Sequence, residues 1–222
     1  HIDMVRWLGF SPGYKKCEAG SETMYMVTWG DDCEPTVSVF RYDGKWWERV
    51  FMAEDDGEFG AYEAEDFPFW YLEVSPDFLD TNVVYLTSGI FEIFRTTDAG
   101  CSWDRLAFPC EDNYWIRAMT VIDEDTVIVG GVLDEDDPTV WKTTNHGTRK
   151  WKAYELPTGA GLPWMFALQP GYEDGEEEKQ SILLGDAGWD GEGGSQVFLS
   201  KDGAETWKLV GDCQDVLGLV PD

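Results

Sequence analysis

The chain of 222 residues carries 44 acidic and 16 basic side chains, which gives a formal net charge of −28 at pH 7. A field of that sign repels phosphates and anionic lipid heads, so the composition argues against nucleic acid and membrane surfaces as partners. With 43% hydrophobic and 15% aromatic residues, punctuated by 24 Gly and 10 Pro, the sequence predicts a folded all-β protein rather than a disordered chain.

Five segments of similar pattern recur along the chain, and each predicts the first strand of a repeated unit. They begin at Trp7, Trp70, Trp115, Trp164 and Val216, so that successive starts lie 45 to 63 residues apart. This spacing is typical of four-stranded units joined by loops of variable length. Second strands are predicted at 24–29, 83–87, 126–131 and 181–185.

The third strand of each unit leads into the most patterned stretch of the sequence. Residues 93–103 read IFRTTDAGCSW and residues 197–207 read VFLSKDGAETW, while 140–151 and 39–47 are looser copies. An Asp or Asn side chain in such a turn accepts hydrogen bonds from nearby backbone N–H groups, and Gly supplies a positive φ. The tryptophan that follows packs between layers. Fourth strands are therefore predicted at 47–51, 103–108, 151–156 and 207–210.

These turns resemble the Asp-box, S/T-x-D-x-G-x-T/S-W, of the bacterial neuraminidase repeat (BNR) β-propellers. The matching residues are Asp43, Asp98, Gly100, Trp103, Asn145, Gly147, Trp151, Ser200, Asp202, Thr206 and Trp207, with Ala204 at the usual second glycine. The resemblance implies that these residues are structural rather than catalytic. It also implies a fold shared by sialidases, xyloglucanases, sortilin-type receptors and photosystem II assembly factors, and so specifies the fold better than the function.

We therefore predict an all-β fold, a β-propeller of four-stranded antiparallel blades in a single domain over residues 1–222. The blades are expected at about 5–51, 70–108, 115–156 and 164–210, and residues 216–222 would open a further blade. Because a closed ring of four would leave that last strand without a blade, we expect the chain to be part of a larger propeller of about six to eight blades.

The loops between second and third strands are expected on the face opposite the Asp-box turns, and much of the acidity falls there. Trp189 lies in the Gly-rich segment GDAGWDGEGGS with no apolar neighbours to bury it, so it is the candidate contact residue of a binding face. Asp186, Asp190 and Glu192 lie beside it and complete the candidate set.

Acidic side chains in these loops are the candidate ligands for Ca²⁺, which prefers clustered oxygen atoms. The candidates are Asp134, Asp136, Asp137, Asp186 and Asp190. Their spacing does not match an EF-hand loop, and no other cofactor is expected. The alternative interpretation of the acidity is a solvated, self-repelling surface that keeps the protein soluble.

The chain has five cysteines, an odd number. No two of them have the CxxC spacing, so the sequence does not indicate a structural zinc site. They are Cys17, Cys33, Cys101, Cys110 and Cys213. One or two disulfides are expected if the protein is extracellular, but Cys101 and Cys110 should not pair, because a strand between them would hold them too far apart. No apolar run reaches the roughly 20 residues needed to span a bilayer. His1 is not an initiator methionine, so we expect a processed or cut N-terminus.

No catalytic residue is predicted. A sialidase would need an arginine triad, yet the chain has seven arginines, and Phe40-Arg41 and Phe94-Arg95 lack the Ile-Pro that follows in the sialidase motif. His146 is expected to be an exposed turn residue. A β-glucan hydrolase needs two carboxylates and aromatic platforms. The tryptophans at the strand starts are interpreted instead as packing residues.

The sequence favours a non-catalytic, extracellular or cell-surface propeller that binds a protein or carbohydrate partner on the face opposite the Asp-box turns. One alternative is a fragment of a glycoside hydrolase, xyloglucanase-like or, less in keeping with the charge, sialidase-like. A second alternative is a surface-layer or filament subunit. The sequence leaves the oligomeric state and the cysteine pairing open.

Overall fold

Antiparallel strands make up almost all of the regular structure. The computed structural model describes residues 2–15, 22–30, 36–54, 70–88, 92–108, 114–133, 137–148, 151–172, 176, 178–187 and 196–212. Within these ranges the chain forms sixteen strands and one helical turn.

The strands form four antiparallel sheets of four strands, and in each sheet the strands neighbour one another in chain order. We call the sheets blades 1 to 4. Blade 1 contains β1 (Met4–Phe10), β2 (Thr23–Gly30), β3 (Thr36–Asp43) and β4 (Trp47–Glu54). Blade 2 contains β5 (Tyr71–Val74), β6 (Val84–Thr87), β7 (Ile93–Thr96) and β8 (Asp104–Arg105). Blade 3 contains β9 (Tyr114–Val121), β10 (Thr126–Leu133), β11 (Asp137–Thr144) and β12 (Lys152–Glu155). Blade 4 contains β13 (Leu162–Leu168), β14 (Ile182–Ala187), β15 (Gln196–Ser200) and β16 (Lys208–Asp212).

The predicted second and fourth strands are confirmed, and their ends differ from the prediction by up to three residues. The ends differ because the length of a strand depends on how far its partner strand extends. One element was not predicted. The helix α1 (Phe78–Thr81) is a single turn between β5 and β6, closed by Asn82 in the left-handed region at φ 57°. The strand expected to open a fifth blade lies outside the described residues. No described helix is both long and apolar enough to cross a bilayer.

The chain divides into two compact units, His1–Phe108 and Pro109–Asp222, and each unit contains two blades. In the first unit, the core lies between blades 1 and 2. Val27 and Val39 of blade 1 and Leu86 of blade 2 are fully buried there. These side chains alternate along their strands with residues on the opposite face, as the period of two in a strand requires.

In the second unit, the core lies between blades 3 and 4. Ile128 and Val140 of blade 3 pack with Ile182 and Leu184 of blade 4, and all four side chains are fully buried. The two sheets approach closely at Gly130, where an added Cβ would lie 2.7 Å from the Pro163 side chain. Glycine at this point therefore sets the distance between the blades.

The tryptophans at the strand starts are not equivalent in the structure. Trp70 is 6% exposed and lies in the core of its unit, as expected of a packing residue. Trp164 is 42% exposed, because a register shift between Pro163 and Met165 turns it out of the sheet. The expectation that Trp164 is a packing residue is therefore wrong. The side chain of Trp115 lies outside the described part of the structure.

Candidate functional site

The most organised polar groups lie in the turns between third and fourth strands, at 43–46, 96–103, 143–148 and 200–207, which we call the Asp/Asn turns. In blade 2, Asp98 Oδ1 accepts hydrogen bonds from the Ser102 backbone N–H (2.8 Å) and the Thr96 hydroxyl (2.7 Å), and Oδ2 accepts one from the Ser102 hydroxyl (2.7 Å). Thr96 Oγ1 in turn accepts the Gly100 N–H at 2.8 Å. The turn thus satisfies its polar groups internally.

The turn of blade 4 repeats this arrangement. Asp202 Oδ1 accepts hydrogen bonds from the backbone N–H groups of Thr206 (2.9 Å) and Glu205 (3.1 Å) and from the Ser200 hydroxyl (2.8 Å). The Thr206 hydroxyl donates to Oδ2. Ser200 Oγ accepts the Ala204 N–H at 2.9 Å, as Thr96 does with Gly100 in blade 2.

The other two turns are simpler versions, in line with their looser sequences. Asn145 Oδ1 accepts a hydrogen bond from the Thr143 hydroxyl at 2.9 Å. In blade 1, Asp43 Oδ1 accepts the N–H groups of Lys45 (2.9 Å) and Trp46 (3.1 Å).

Hydrogen bonding keeps the turn aspartates ionised. The side chain and backbone of Ser102, followed by the Thr96 hydroxyl, lower the pKa of Asp98 to about 2. Burial acts to raise the pKa of Asp202, but the bonds from Thr206, Ser200 and Glu205 outweigh it and the pKa is lowered. The N–H groups of Trp46 and Lys45 lower the pKa of Asp43. Carboxylates held in this state cannot act as general acids near neutral pH.

Each of three turns contains two consecutive residues with positive φ. The pairs are Ala99 and Gly100, His146 and Gly147, and Gly203 and Ala204, with φ between 57° and 95°. A non-glycine residue in this region costs about 1–2 kcal/mol. Ala204 nevertheless fits, because its fully buried methyl group packs in the core of its unit.

Basic residues of the third strands connect these turns to the preceding blade. Arg41 Nη1 donates to the Ala99 carbonyl at 2.8 Å, and the Tyr25 hydroxyl donates to the same oxygen at 3.0 Å. Lys142 Nζ donates to the Gly203 carbonyl at 3.0 Å. We call Arg41 and Lys142 the third-strand cations. The sequence analysis missed their role, although both follow an aromatic residue on the strand that enters the turn.

The turn tryptophan of blade 2 also contacts the preceding blade. Trp103 Nε1 donates to the Val50 carbonyl of β4 at 3.0 Å. His146 lies in the turn of blade 3, where its Nδ1 contacts the Asp125 carboxylate, and both side chains are partly exposed. The turns of blades 2 and 4 therefore connect their blade to the preceding one within each unit.

The opposite face is described only in part. Trp189, Asp190, Glu192, Asp134 and Asp136 lie outside the described residues, as does the side chain of Asp137. Asp186 is described and is 5% exposed. Its Oδ2 accepts the Gly161 N–H at 2.6 Å, and its Oδ1 accepts the Gln196 N–H. This geometry favours a structural role for Asp186 over a place on an exposed binding face.

Two further observations bear on cofactors and redox chemistry. Within the described ranges, no three His, Cys, Asp or Glu side chains are grouped closely enough to hold a metal ion. Cys101 has a free, exposed thiol, and Arg41 Nη1 lies 3.8 Å from its Sγ. The other four cysteines lie outside the described part of the chain.

Among the residues that the structure describes, one carboxyl group has a pKa raised into the range useful for acid–base chemistry. Burial raises the pKa of Glu73, on β5, to about 7. Its cross-strand neighbour is Tyr85, which is fully buried. A single carboxyl group does not make the pair that hydrolysis of a glycosidic bond requires.

Comparisons with known proteins show which solved structures share this architecture. No protein-family model matches the chain, and no curated protein matches it by sequence. A GH74 enzyme from Niastella koreensis superposes with a TM-score of 0.62 at 16% identity, over 92% of this chain and 30% of the enzyme. YCF48 bound to D1 peptide gives a TM-score of 0.52 at 12% identity, over 92% of this chain and 52% of that protein.

A third structure, the β-propeller domain of the Trilobed protease from Pyrococcus furiosus, gives a TM-score of 0.55 at 11% identity, over 95% of this chain and 58% of that domain. The chain therefore spans from 30% to 58% of the lengths of these three structures. Together with the four sheets, these likenesses confirm the predicted fold, a β-propeller of four-stranded antiparallel blades.

Proposed function

We propose that this protein is a non-catalytic interaction or assembly scaffold built from Asp-box blades of the BNR type. The observation that supports this most directly is the use of its patterned polar residues. The carboxylate oxygens of Asp98 and Asp202 accept hydrogen bonds from their own turns. The carbonyl oxygens of Ala99 and Gly203 accept hydrogen bonds from side chains of the preceding blade. The residues that a motif search would select for catalysis therefore stabilise the fold.

The binding surface in this proposal is the face opposite the Asp/Asn turns, and its contact residues include Trp189, Asp190 and Glu192. The partner is a protein or a neutral carbohydrate, because a chain of net charge −28 repels anionic ligands. The same charge suits an extracellular or cell-surface location, and Ca²⁺ is the cation that its acidic loops would bind.

The second candidate function is glycoside hydrolysis. It is favoured by the likeness to a GH74 enzyme, and by Glu73, whose pKa burial raises to about 7, the range of a general acid. Since the chain spans 30% of that enzyme, a second carboxylate would have to come from beyond the described residues.

A hydrolysis screen distinguishes the two functions. The protein is incubated with xyloglucan, other β-glucans and sialosides, and reducing ends or free sialic acid are measured, with the Glu73→Gln variant as the matched control. The scaffold proposal expects no release from any substrate. Release that disappears in Glu73→Gln would overturn it in favour of a hydrolase.

A further inference from the structure

The turn of blade 1 carries an exposed tryptophan at a position where two other turns have a hydroxyl residue. Trp46 directly precedes the motif tryptophan, as Ser102 does in blade 2 and Thr206 does in blade 4. Its side chain is 70% exposed, the highest value among the large hydrophobic residues that the structure describes. So large an apolar surface in water calls for a reason.

The hydrogen bonds of the turn do not supply that reason. Ser102 and Thr206 donate their hydroxyl groups to the aspartates of their turns. In the described contacts of the blade 1 turn, Trp46 contributes its backbone instead. Its N–H donates to Asp43 Oδ1 at 3.1 Å, and its carbonyl accepts the Asp43 N–H at 3.4 Å. Serine or threonine would serve this turn at least as well as tryptophan does.

The exposure of this position does not depend on what lies before blade 1. Blades 2 and 4 are each covered by the preceding blade of their unit, and Ser102 and Thr206 are nevertheless exposed. The motif tryptophan that follows behaves differently, since Trp207 is 8% exposed. A blade packed before blade 1 would therefore cover the position of Trp47 and leave that of Trp46 open to a ligand.

The turn fixes the backbone that carries the indole. Asp43 Oδ1 accepts the N–H groups of both Lys45, at 2.9 Å, and Trp46. These bonds lower the pKa of Asp43, so its carboxylate is ionised near neutral pH. Because the turn is ordered before a ligand arrives, binding does not carry the entropy cost of ordering it.

Exposed polar side chains accompany the indole. Asp43, Lys45 and Glu48 are all exposed, and the Glu22 carboxylate lies over Gly44 of the same turn. Both described hydrogen bonds to the Asp43 side chain use Oδ1, so Oδ2 can accept a further bond from a ligand hydroxyl. The turn thus presents one apolar plane with hydrogen-bond acceptors and an ammonium donor near it.

This combination fits a neutral sugar ring better than a protein or a nucleobase. A protein partner covers about 800 Å² of each surface, far more than one side chain offers. Nucleobases stack on aromatic rings, but the charge of −28 repels their phosphates. A pyranose with equatorial hydroxyls has an apolar C–H face for the indole, and its hydroxyls lie at the rim, where Asp43 and Lys45 can bond them.

We propose that Trp46 is the platform of a second binding site, at the turn of blade 1, for a neutral oligosaccharide of β-linked pyranoses. The site goes beyond the proposed function, whose binding face lies opposite the Asp/Asn turns. Since one aromatic platform carries most of the contact, the expected dissociation constant is about 0.1–1 mM.

Isothermal titration calorimetry of the intact chain with cellohexaose, xylohexaose and laminarihexaose tests the site. At least one of these sugars should bind, and Trp46→Thr should weaken binding at least about 10-fold, because the stacking surface is lost. This variant installs the residue of the blade 4 turn, so it should fold, which urea unfolding checks. Trp46→Phe keeps an aromatic face and should stay within about threefold of the parent. Leu79→Ala on α1 is the control, since Leu79 is 55% exposed outside the turn, and it should bind like the parent.

Nuclear magnetic resonance of the ¹⁵N-labelled chain adds a local readout. The indole N–H signal that is missing from Trp46→Thr should shift when the bound hexasaccharide is added to the parent. Absence of binding by all three sugars at about 10 mM, or binding to Trp46→Thr within about twofold of the parent, overturns the proposal. Binding that Trp189→Ala weakens and Trp46→Thr does not would lie on the opposite face, which overturns the Trp46 site and supports the proposed function.

Discussion

At the scale of single residues, the turn aspartates show how one side chain can define a local fold. Asp98 and Asp202 accept hydrogen bonds from groups three or four residues ahead, and the hydroxyl two residues before each completes the set. The consequence is a carboxylate that is both ionised and fixed. Its contribution to stability can be measured by removing it.

Asp98→Ala should lower the free energy of unfolding by about 1–3 kcal/mol, because the Ser102 and Thr96 groups lose their shared acceptor. Urea unfolding monitored by tryptophan fluorescence gives this value, with Asp80→Ala on α1 as an exposed control expected within about 0.5 kcal/mol of the parent.

Since hydrogen bonding lowers the pKa of Asp98 from 3.8 to about 2, the folded state binds this proton more weakly than the unfolded state. The stabilising contribution of Asp98 should therefore disappear as pH falls from 3.8 to 2. Equal losses of stability on acidification in parent and variant would contradict this assignment.

Glu73 should show the opposite pH dependence. Burial raises its pKa from 4.5 to about 7, so the folded state binds the proton more tightly, and stability falls as pH rises across that interval. Glu73→Gln should therefore raise the free energy of unfolding at pH 8 by roughly 1–3 kcal/mol and change it little at pH 4. Thermal unfolding at the two pH values measures the difference, and a variant less stable than the parent at pH 8 would show that the carboxylate is stabilised by a partner.

At the scale of elements, close contact between sheets depends on glycine at Gly130. An added methyl group would meet the Pro163 side chain at 2.7 Å and the Phe166 ring at 3.0 Å, so the facing strand β13 would have to shift. Gly130→Ala should therefore destabilise the second unit by about 1–3 kcal/mol. Gly185→Ala on β14 is the matched control, because an added Cβ there would lie 4.0 Å from the Met165 carbonyl oxygen, and the change should be neutral or slightly stabilising. Equal unfolding midpoints for the two variants would contradict this packing.

The strands and turns could be predicted from sequence because their signals are local. Segments such as 93–103 contain the strand, the acceptor, the left-handed glycine and the tryptophan within eleven residues. Trp164 could not be assigned, because its exposure depends on a register shift against β14. The structural role of Asp186 also could not be predicted. Its carboxylate accepts hydrogen bonds from the N–H groups of Gly161 and Gln196, which are distant from each other in sequence.

At the scale of the whole molecule, the formal charge of −28 and the exposed apolar side chains, among them Leu8 and Met165, have opposite effects on association. Charge repulsion between copies weakens as salt is added, whereas burial of apolar surface does not. Any self-association of the chain through exposed apolar side chains should therefore be stronger at physiological salt than at low ionic strength, which light scattering at the two salt concentrations measures. The sequence alone predicts the effect of this charge, whereas the exposure of Leu8 and Met165 depends on the register of their sheets and could not be predicted.

The hydrogen bonds to the Ala99 and Gly203 carbonyls run in the same direction along the chain in both units. In both units the donor belongs to the earlier blade and the acceptor to the turn of the later one. Support for a turn thus passes from the N-terminal blade to the C-terminal blade. Loss of blade 1 would remove both donors to the turn of blade 2, whereas loss of blade 2 would leave the turn at 43–46 with its own Asp43 contacts. Within each unit, therefore, the order of the second turn depends on the blade that precedes it in the chain.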